Sequence, residues 1–311
     1  MTSQIEPSPI EPGKTEPSTR EEREVLASQM TERLCDSVEQ LLGEQYRVQS
    51  GVRPNYFTDG LVVDAFRVTE RCPRKLAGPS SDYRDSVAMS RRRIGLLAVR
   101  ELANSAGTSQ PMLVSTAVQQ VMADAANWPM SLRDWVDSLD RAGQAAVAAA
   151  AITWAESALR LVGRDSRVKW AEPSQKPKWN VPGRLVQLSA SVDAVLGGVS
   201  SGEKLLILSD AVPGPADRLR AGFTALVRTL GARHAPLRVT VGSPATGLLQ
   251  PIPVTQELLE LAADRAVEMI GLLANPDSAG TAPGKWCGYC HLLEFCDAGR
   301  TQLAAGGSAT M

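Results

Sequence analysis

Five cysteines stand in the chain, and three of them fall within one short run, Cys287-Gly-Tyr-Cys290-His-Leu-Leu-Glu-Phe-Cys296, a C-x2-C-x5-C spacing. A C-x2-C turn lets two thiolates converge on one metal centre, and a third joins from the start of a following helix. Structural zinc and iron–sulfur clusters both take four ligands, for a cluster usually four thiolates. The fourth must then come from Cys35, Cys72 or His291. Cys72 is the better candidate, because it sits in Glu70-Arg71-Cys72-Pro73-Arg74-Lys75, where a proline directly after a ligand cysteine shapes the turn. Cys35 lies beside the apolar stripe of a helix and reads as packing. Buried free cysteines rarely fall at ligand spacing. The expected chemistry is an iron–sulfur cluster on Cys72, Cys287, Cys290 and Cys296, with zinc as the alternative, since spacing does not settle metal identity.

The elements that must hold these thiols follow from composition and periodicity. The 311 residues suffice for one large domain or two small ones, and hydrophobic residues make up 43%. Aromatics are scarce at 5% while alanine and leucine abound, so the composition leans helical. A net charge of −1 gives no whole-molecule reason to expect a polyanion, so nucleic-acid contact would need a local basic patch. The first residues lack a signal-peptide pattern, and no apolar run approaches the roughly 20 residues of a membrane span. The expectation is a cytoplasmic protein without membrane contact, where thiols stay reduced and a cysteine cluster reads as a metal site.

Residues 1–17 hold Pro7, Pro9, Pro12 and Pro17 among Glu, Ser and Thr, the composition of a disordered tail. Ser18 with Glu21 forms a capping box, and Met30, Leu34, Val38 and Leu41 give a helix ending near Gly43. From Arg53 to about Leu76 an extended stretch leads into a helix carrying Cys72. Helices follow over about Ser86–Ala103 and Arg141–Val162, the second with a stripe of Val147, Ala151, Trp154, Ala158 and Leu161. Alternation at Val186, Leu188, Ala190 and Val192 marks a strand, 197–202 a turn, and Leu205 to Leu208 a second strand. Leu219, Phe223, Leu226 and Leu230 mark a helix, then Leu237, Val239 and Val241 a strand. A last helix starts at Thr255 as N-cap and stops before Pro276.

The stretch Val68-Thr-Glu-Arg-Cys-Pro-Arg-Lys-Leu76, more than 200 residues ahead of the C-x2-C-x5-C tail, resembles the cysteine helix of a known group. These are the PD-(D/E)XK nucleases of the RecB/AddB type and the related CRISPR-adaptation exonucleases, in which a [4Fe–4S] cluster staples the nuclease domain shut. The strand–strand–helix–strand core lies between the cysteines, where the family places it. The resemblance covers about residues 55–297. It implies an α/β (α+β) fold with a restriction-endonuclease-like mixed central sheet flanked by helices, a helical N-terminal half and a tail stapled by [4Fe–4S] on Cys72, Cys287, Cys290 and Cys296.

The family's catalytic positions are mostly replaced. It binds one or two divalent cations, Mg²⁺ or Mn²⁺, through a histidine, an aspartate on one strand and D/E-x-K on the next. Asp193 matches the first aspartate. On the next strand the second carboxylate becomes Ser209 and the lysine becomes Ala211; the histidine falls at Val99, and the Gln-x-x-x-Tyr of the following helix at Leu219 and Phe223. Asp210 is a candidate replacement, but adjacent strand residues face opposite ways. Asp193 and Asp210 are therefore read as vestigial.

Arg67, Arg71, Arg74, Lys75, Arg84, Arg91, Arg92, Arg93 and Arg100 form a basic stretch in an otherwise neutral chain. It reads either as a phosphate-contacting face, with Arg71, Arg74, Lys75, Arg91, Arg92 and Arg93 as the nucleic-acid candidates, or as a solvated helix face. Trp170 and Trp179, flanked by Lys169, Lys176 and Lys178, read as packing or loop anchors, with stacking on bases as the alternative. The expected organisation is a tail (1–17), a helix and linker (18–52), a nuclease-like domain (53–297) with a helical insertion (about 86–163) and a cluster tail (283–297), then a flexible end (298–311). The expected function is a catalytically degenerate module that binds DNA or a protein partner such as a helicase or nuclease subunit. An active metal-dependent nuclease with a migrated site, and a zinc or cluster protein without nucleic acid, are the alternatives.

Overall fold

In the computed structural model, residues 17, 19–49, 60–70, 72–73, 75, 87–105, 112–124, 128, 130–163, 168–171, 176–197, 202–284, 287–288, 290 and 292–307 are described. The tail expected to be disordered, apart from Pro17, lies outside them.

Helix α1, Arg20–Leu42, starts one residue later than the sequence pattern suggests. Thr19, not Ser18, is the N-cap: its hydroxyl accepts from the Glu22 N–H and the Glu22 side chain accepts from the Thr19 N–H. The buried stripe likewise ends one residue later, on Leu42, four residues after Val38, while Leu41 faces solvent. Strand β1, Leu61–Asp64, runs straight into α2, Ala65–Thr69, with Asp64 capping α2 by accepting from the Arg67 N–H. Four helices follow, α3 Val87–Ser105, α4 Val114–Ala123, α5 Met130–Asp137 and α6 Arg141–Val162. They share their own apolar core around Ile94, Val99, Val118, Leu132 and Val147.

The second half supplies β2 Val168–Trp170, β3 Lys178–Asn180, β4 Val186–Ser189, β5 Ala194–Leu196, β6 Lys204–Leu208, α7 Pro215–Ala232, β7 Arg238–Ser243, β8 Leu248–Pro253 and α8 Gln256–Ala274. Among the described residues the strands form two sheets instead of the single expected one. One is ordered β1-β4-β3, the other β2-β5-β6-β7-β8. The alternating run from Val186 to Val192 is not continuous: β4 ends at Ser189, and the chain crosses to the larger sheet before β5. In that sheet β6 and β7 pair in parallel across α7, and the remaining pairs are antiparallel. The expectation of a mixed α+β fold with a helical N-terminal half therefore holds.

Two strand features explain what periodicity missed. Strands β3 and β4 are joined by Val181-Pro182-Gly183-Arg184, where proline presets φ and Gly183 takes φ +69°, the conformation a type II turn needs at that position. Strand β8 carries Pro251 and Pro253, which cannot donate to a ladder; an edge position tolerates them. Strand β6 is buried on both faces. Leu205 and Ile207 join the main core under α1, α7 and α8, while Leu206 and Leu208 pack towards Trp154 and Ala158 of α6.

Helix α6 corrects the expectation that no apolar segment is long enough for a membrane. It is 22 residues long and holds an 18-residue window of mean hydropathy 1.4, so it passes by length and composition. Its buried stripe packs on α3, on α4 and against the sheet. The end expected to be flexible is also corrected: α9, Asp297–Gly307, covers most of it.

Candidate functional site: a four-cysteine cavity and a closed carboxylate

Cys72 is not on a helix, contrary to expectation. Helix α2 ends at Thr69, and Cys72 lies in the turn that follows, directly before the helical residues Pro73 and Lys75, with its carbonyl accepting from the Lys75 N–H at 3.1 Å. Three side chains fix that turn. The Glu70 carboxylate, 8% exposed, accepts from the Cys72 N–H at 3.3 Å through Oε1 and holds the Lys75 ammonium at 2.7 Å through Oε2. The same ammonium lies 5.6 Å from the Phe66 ring centre. From α8, Arg265 donates to the Val68 carbonyl at 3.1 Å and to the Glu70 carbonyl at 2.9 Å, and so caps the end of α2.

The tail thiols come from consecutive tight turns. The Cys287 N–H bonds to the Gly284 carbonyl, Cys290 to Cys287, Leu293 to Cys290 and Cys296 to Leu293, all between 2.9 and 3.1 Å. The Gly284 N–H in return donates to Cys287 Sγ at 3.4 Å. Helix α9 begins directly after Cys296, and its Gly299 faces the sulfurs. A Cβ at Gly299 would lie 3.5 Å from both Cys287 Sγ and Cys296 Sγ. Cys72, Cys287, Cys290 and Cys296 line one small cavity with Lys75, Pro283 and Leu293, and all four are free thiols. Among the described residues, no group of three or more His, Cys, Asp or Glu side chains stands at the spacing that would hold a metal ion. Cys35 stands apart from the cavity on α1, and burial, with the Asp36 charge second, pushes its thiol up. His291 lies outside the described residues.

The second candidate centre lies where β5 begins. Asp193 is 6% exposed and is already partnered. Arg92 of α3 reaches both its oxygens with Nη2, at 2.8 and 2.9 Å, and the Leu208 N–H donates at 2.6 Å. Arg220 of α7 adds a second guanidinium nearby. Burial lowers its pKa and the Arg92 charge does the same, against the opposing pull of Asp193 and Asp217. Asp210, just beyond β6, accepts from Trp154 Nε1 at 2.8 Å and lies 3.8 Å from Arg91. Adjacent arginines of α3 thus face the two carboxylates, Arg92 on Asp193 and Arg91 on Asp210, and Trp154 of α6 adds a bond to Asp210. Trp154 can reach Asp210 because α3 carries Gly95 at the crossing, where a Cβ would come within 2.6 Å of the indole. At the positions the resemblance assigns to catalysis, Val99 and Phe223 are core residues.

Much of the basic stretch is used inside the protein. Arg92 bonds Asp193, Arg91 faces Asp210, Lys75 pairs with Glu70, and Arg67 donates to the Val62 carbonyl. Arg93 and Arg100 have partners within the chain as well. Arg71, Arg74 and Arg84 lie outside the described residues. Trp179 packs on the main core and Trp170 against the helical one. Sequence reading took the triple arginine as a surface; its available signal was an aspartate left without catalytic companions in a neutral chain. Nothing in the sequence marked Glu70, Arg265 or Gly299.

No protein-family model and no curated protein matches the chain. Among solved structures it is similar to the crystal structure of SSO0001, at 14% identity over 87% of this chain and 97% of that one, with a TM-score of 0.36; a likeness of that strength carries no argument about function.

Proposed function

We propose that this chain is an iron–sulfur protein built on a PD-(D/E)XK nuclease-like scaffold, whose cutting centre is closed by arginines and which acts as a binding module for DNA or a protein partner. The observation that carries the reading is the convergence of four free thiols, from positions 72 and 287–296, on one cavity. The donor set fits a [4Fe–4S] cluster: four thiols line one cavity, and an N–H points at one sulfur. Cys72, Cys287, Cys290 and Cys296 would hold it. When bound, it supplies a crosslink between the turn after α2 and the tail, closing a loop of more than 200 residues.

The loss of cutting is supported by Asp193. A divalent cation needs carboxylates free to coordinate it, and a guanidinium at 2.8 Å already neutralises this one. Ser209 and Ala211 supply neither a second carboxylate nor a lysine.

The test is anaerobic purification, followed by iron and zinc analysis, a visible spectrum, and incubation with single- and double-stranded DNA and Mn²⁺. A brown protein with about four irons that binds DNA or a helicase-type partner without cutting fits the proposal. Zinc in place of iron removes the cluster, and cleavage abolished by Asp193→Ala restores the nuclease reading.

A further inference from the structure

The four thiols differ in how they are held. Cys287, Cys290 and Cys296 share one run of tight turns that ends in α9. Cys72 comes from the other end of the chain, and a separate bracket fixes its turn. Glu70 binds its N–H with one carboxylate oxygen and Lys75 with the other, while Arg265 ties the two preceding carbonyls, of Val68 and Glu70, to α8.

We infer that Glu70, Lys75 and Arg265 form a latch that positions Cys72 as a metal ligand, and that the iron it would bind is the exchangeable corner of the cluster. The inference rests on the cluster reading above. Removing a group that orients a metal ligand typically costs about 10- to 100-fold in metal affinity. The tail thiols keep their geometry through their own turns when the latch is loosened. Cys72 has a single turn bond of its own, from the Lys75 N–H to its carbonyl, and beyond that depends on the latch, with Lys75 lying in the cavity wall beside it. The lability is oxidative. With a cluster held by the four thiols, a one-electron oxidant such as ferricyanide would take one electron from [4Fe–4S]²⁺ and one Fe²⁺ would leave, giving [3Fe–4S]⁺. The Cys72 thiolate freed from that iron takes a proton from water.

The experiment uses full-length protein reconstituted anaerobically, titrated with ferricyanide and followed by electron paramagnetic resonance, since [3Fe–4S]⁺ is paramagnetic and [4Fe–4S]²⁺ is silent. Alkylation and mass spectrometry then locate the freed thiol. Glu70→Ala and Arg265→Met should both convert about tenfold faster than the unsubstituted protein, with Cys72 alkylated ahead of the tail thiols. Glu70→Gln keeps an acceptor for the Cys72 N–H and should fall between. Arg33→Ala, which removes a surface pair with Asp264 on the same α8, should match the unsubstituted rate. If Glu70→Ala fails to fold, Arg265→Met and Glu70→Gln still decide. Unchanged conversion at full iron content, even with a lowered melting temperature, overturns the latch, as does first alkylation at a tail cysteine. Unsubstituted protein without iron overturns the cluster reading instead, before any variant is compared.

Discussion

Replacing Arg92 by methionine tests whether the buried Asp193 carboxylate is held by an internal counter-ion. The substitution keeps the length and packing of the side chain and removes the guanidinium that bonds both oxygens of Asp193. It leaves a 6%-exposed carboxylate with the Leu208 N–H as its remaining short contact. Breaking a buried pair from one side costs about 3–5 kcal/mol. The Arg92 side chain retains 27% exposure and Arg220 stays close, so the lower end, about 3 kcal/mol, applies. Unfolding entropy of about 2.1 cal/mol/K per residue over 311 residues gives about 0.65 kcal/mol per degree, so the melting temperature should fall by about 5 °C. Arg92→Met with Asp193→Asn removes both charges and should recover most of that loss, giving a coupling of about 2 kcal/mol. Thermal unfolding by circular dichroism, with the metal content matched across variants, reads all four corners of the cycle. A single variant melting within about 1 °C of the parent, or strictly additive effects, would refute the counter-ion. Nucleic acid gives an independent check. A phosphate-contacting Arg92 lowers the slope of log affinity against log salt by about one when removed, whereas a counter-ion leaves the slope unchanged.

The other predictions concern the thiols, the far end of β6 and the α3–α6 crossing. Cys290→Ser should give colourless, aggregation-prone protein; Cys35→Ser should keep the iron of the parent, and a stable, folded monomer from Cys290→Ser would argue against a structural cluster. The Cys35 thiol, raised by burial and then by Asp36, should react with iodoacetamide more slowly than a free cysteine at about pH 8.5. Burial pushes the Glu203 carboxyl up, but the hydrogen bonds and charge of Arg228, with His234 and Lys169, outweigh it and hold the pKa below its ordinary value. The resulting stability is full above the unfolded value of about 4.3 and is lost as pH falls through the lower folded value. Arg228→Met should shrink that acid-side loss in melting curves taken across the range. Gly95→Leu drives a side chain into a site where even a Cβ meets the Trp154 ring at 2.6 Å. It should cost about 1–3 kcal/mol and alter tryptophan fluorescence as the Trp154–Asp210 hydrogen bond breaks; an unchanged spectrum and melting temperature would count against the close crossing.

The sequence by itself determined the elements whose signals are local. The stripe of α6, the Thr255 cap of α8 and the apolar run of β6 all depend on residues within a turn or two of each other, and each element formed where its pattern lay. The ligand spacing of the tail is local in the same sense. Tertiary structure decided what depends on distant partners. It ended the Val186–Val192 run at Ser189 and started a new strand at Ala194, because β4 pairs with β1 and β3 while β5 pairs with β2 and β6. It admitted β8 despite its prolines, because an edge strand has a neighbour on one side only. It placed Cys72 beyond the end of α2 and fixed it with Arg265, almost 200 residues away in the chain. It also turned Arg92 inward across 101 residues to Asp193. A charge in sequence carries no mark of whether its partner is water, phosphate or a buried carboxylate. Only the packing of α3 against the sheet, which removes water from around Asp193, made an arginine the group that satisfies it.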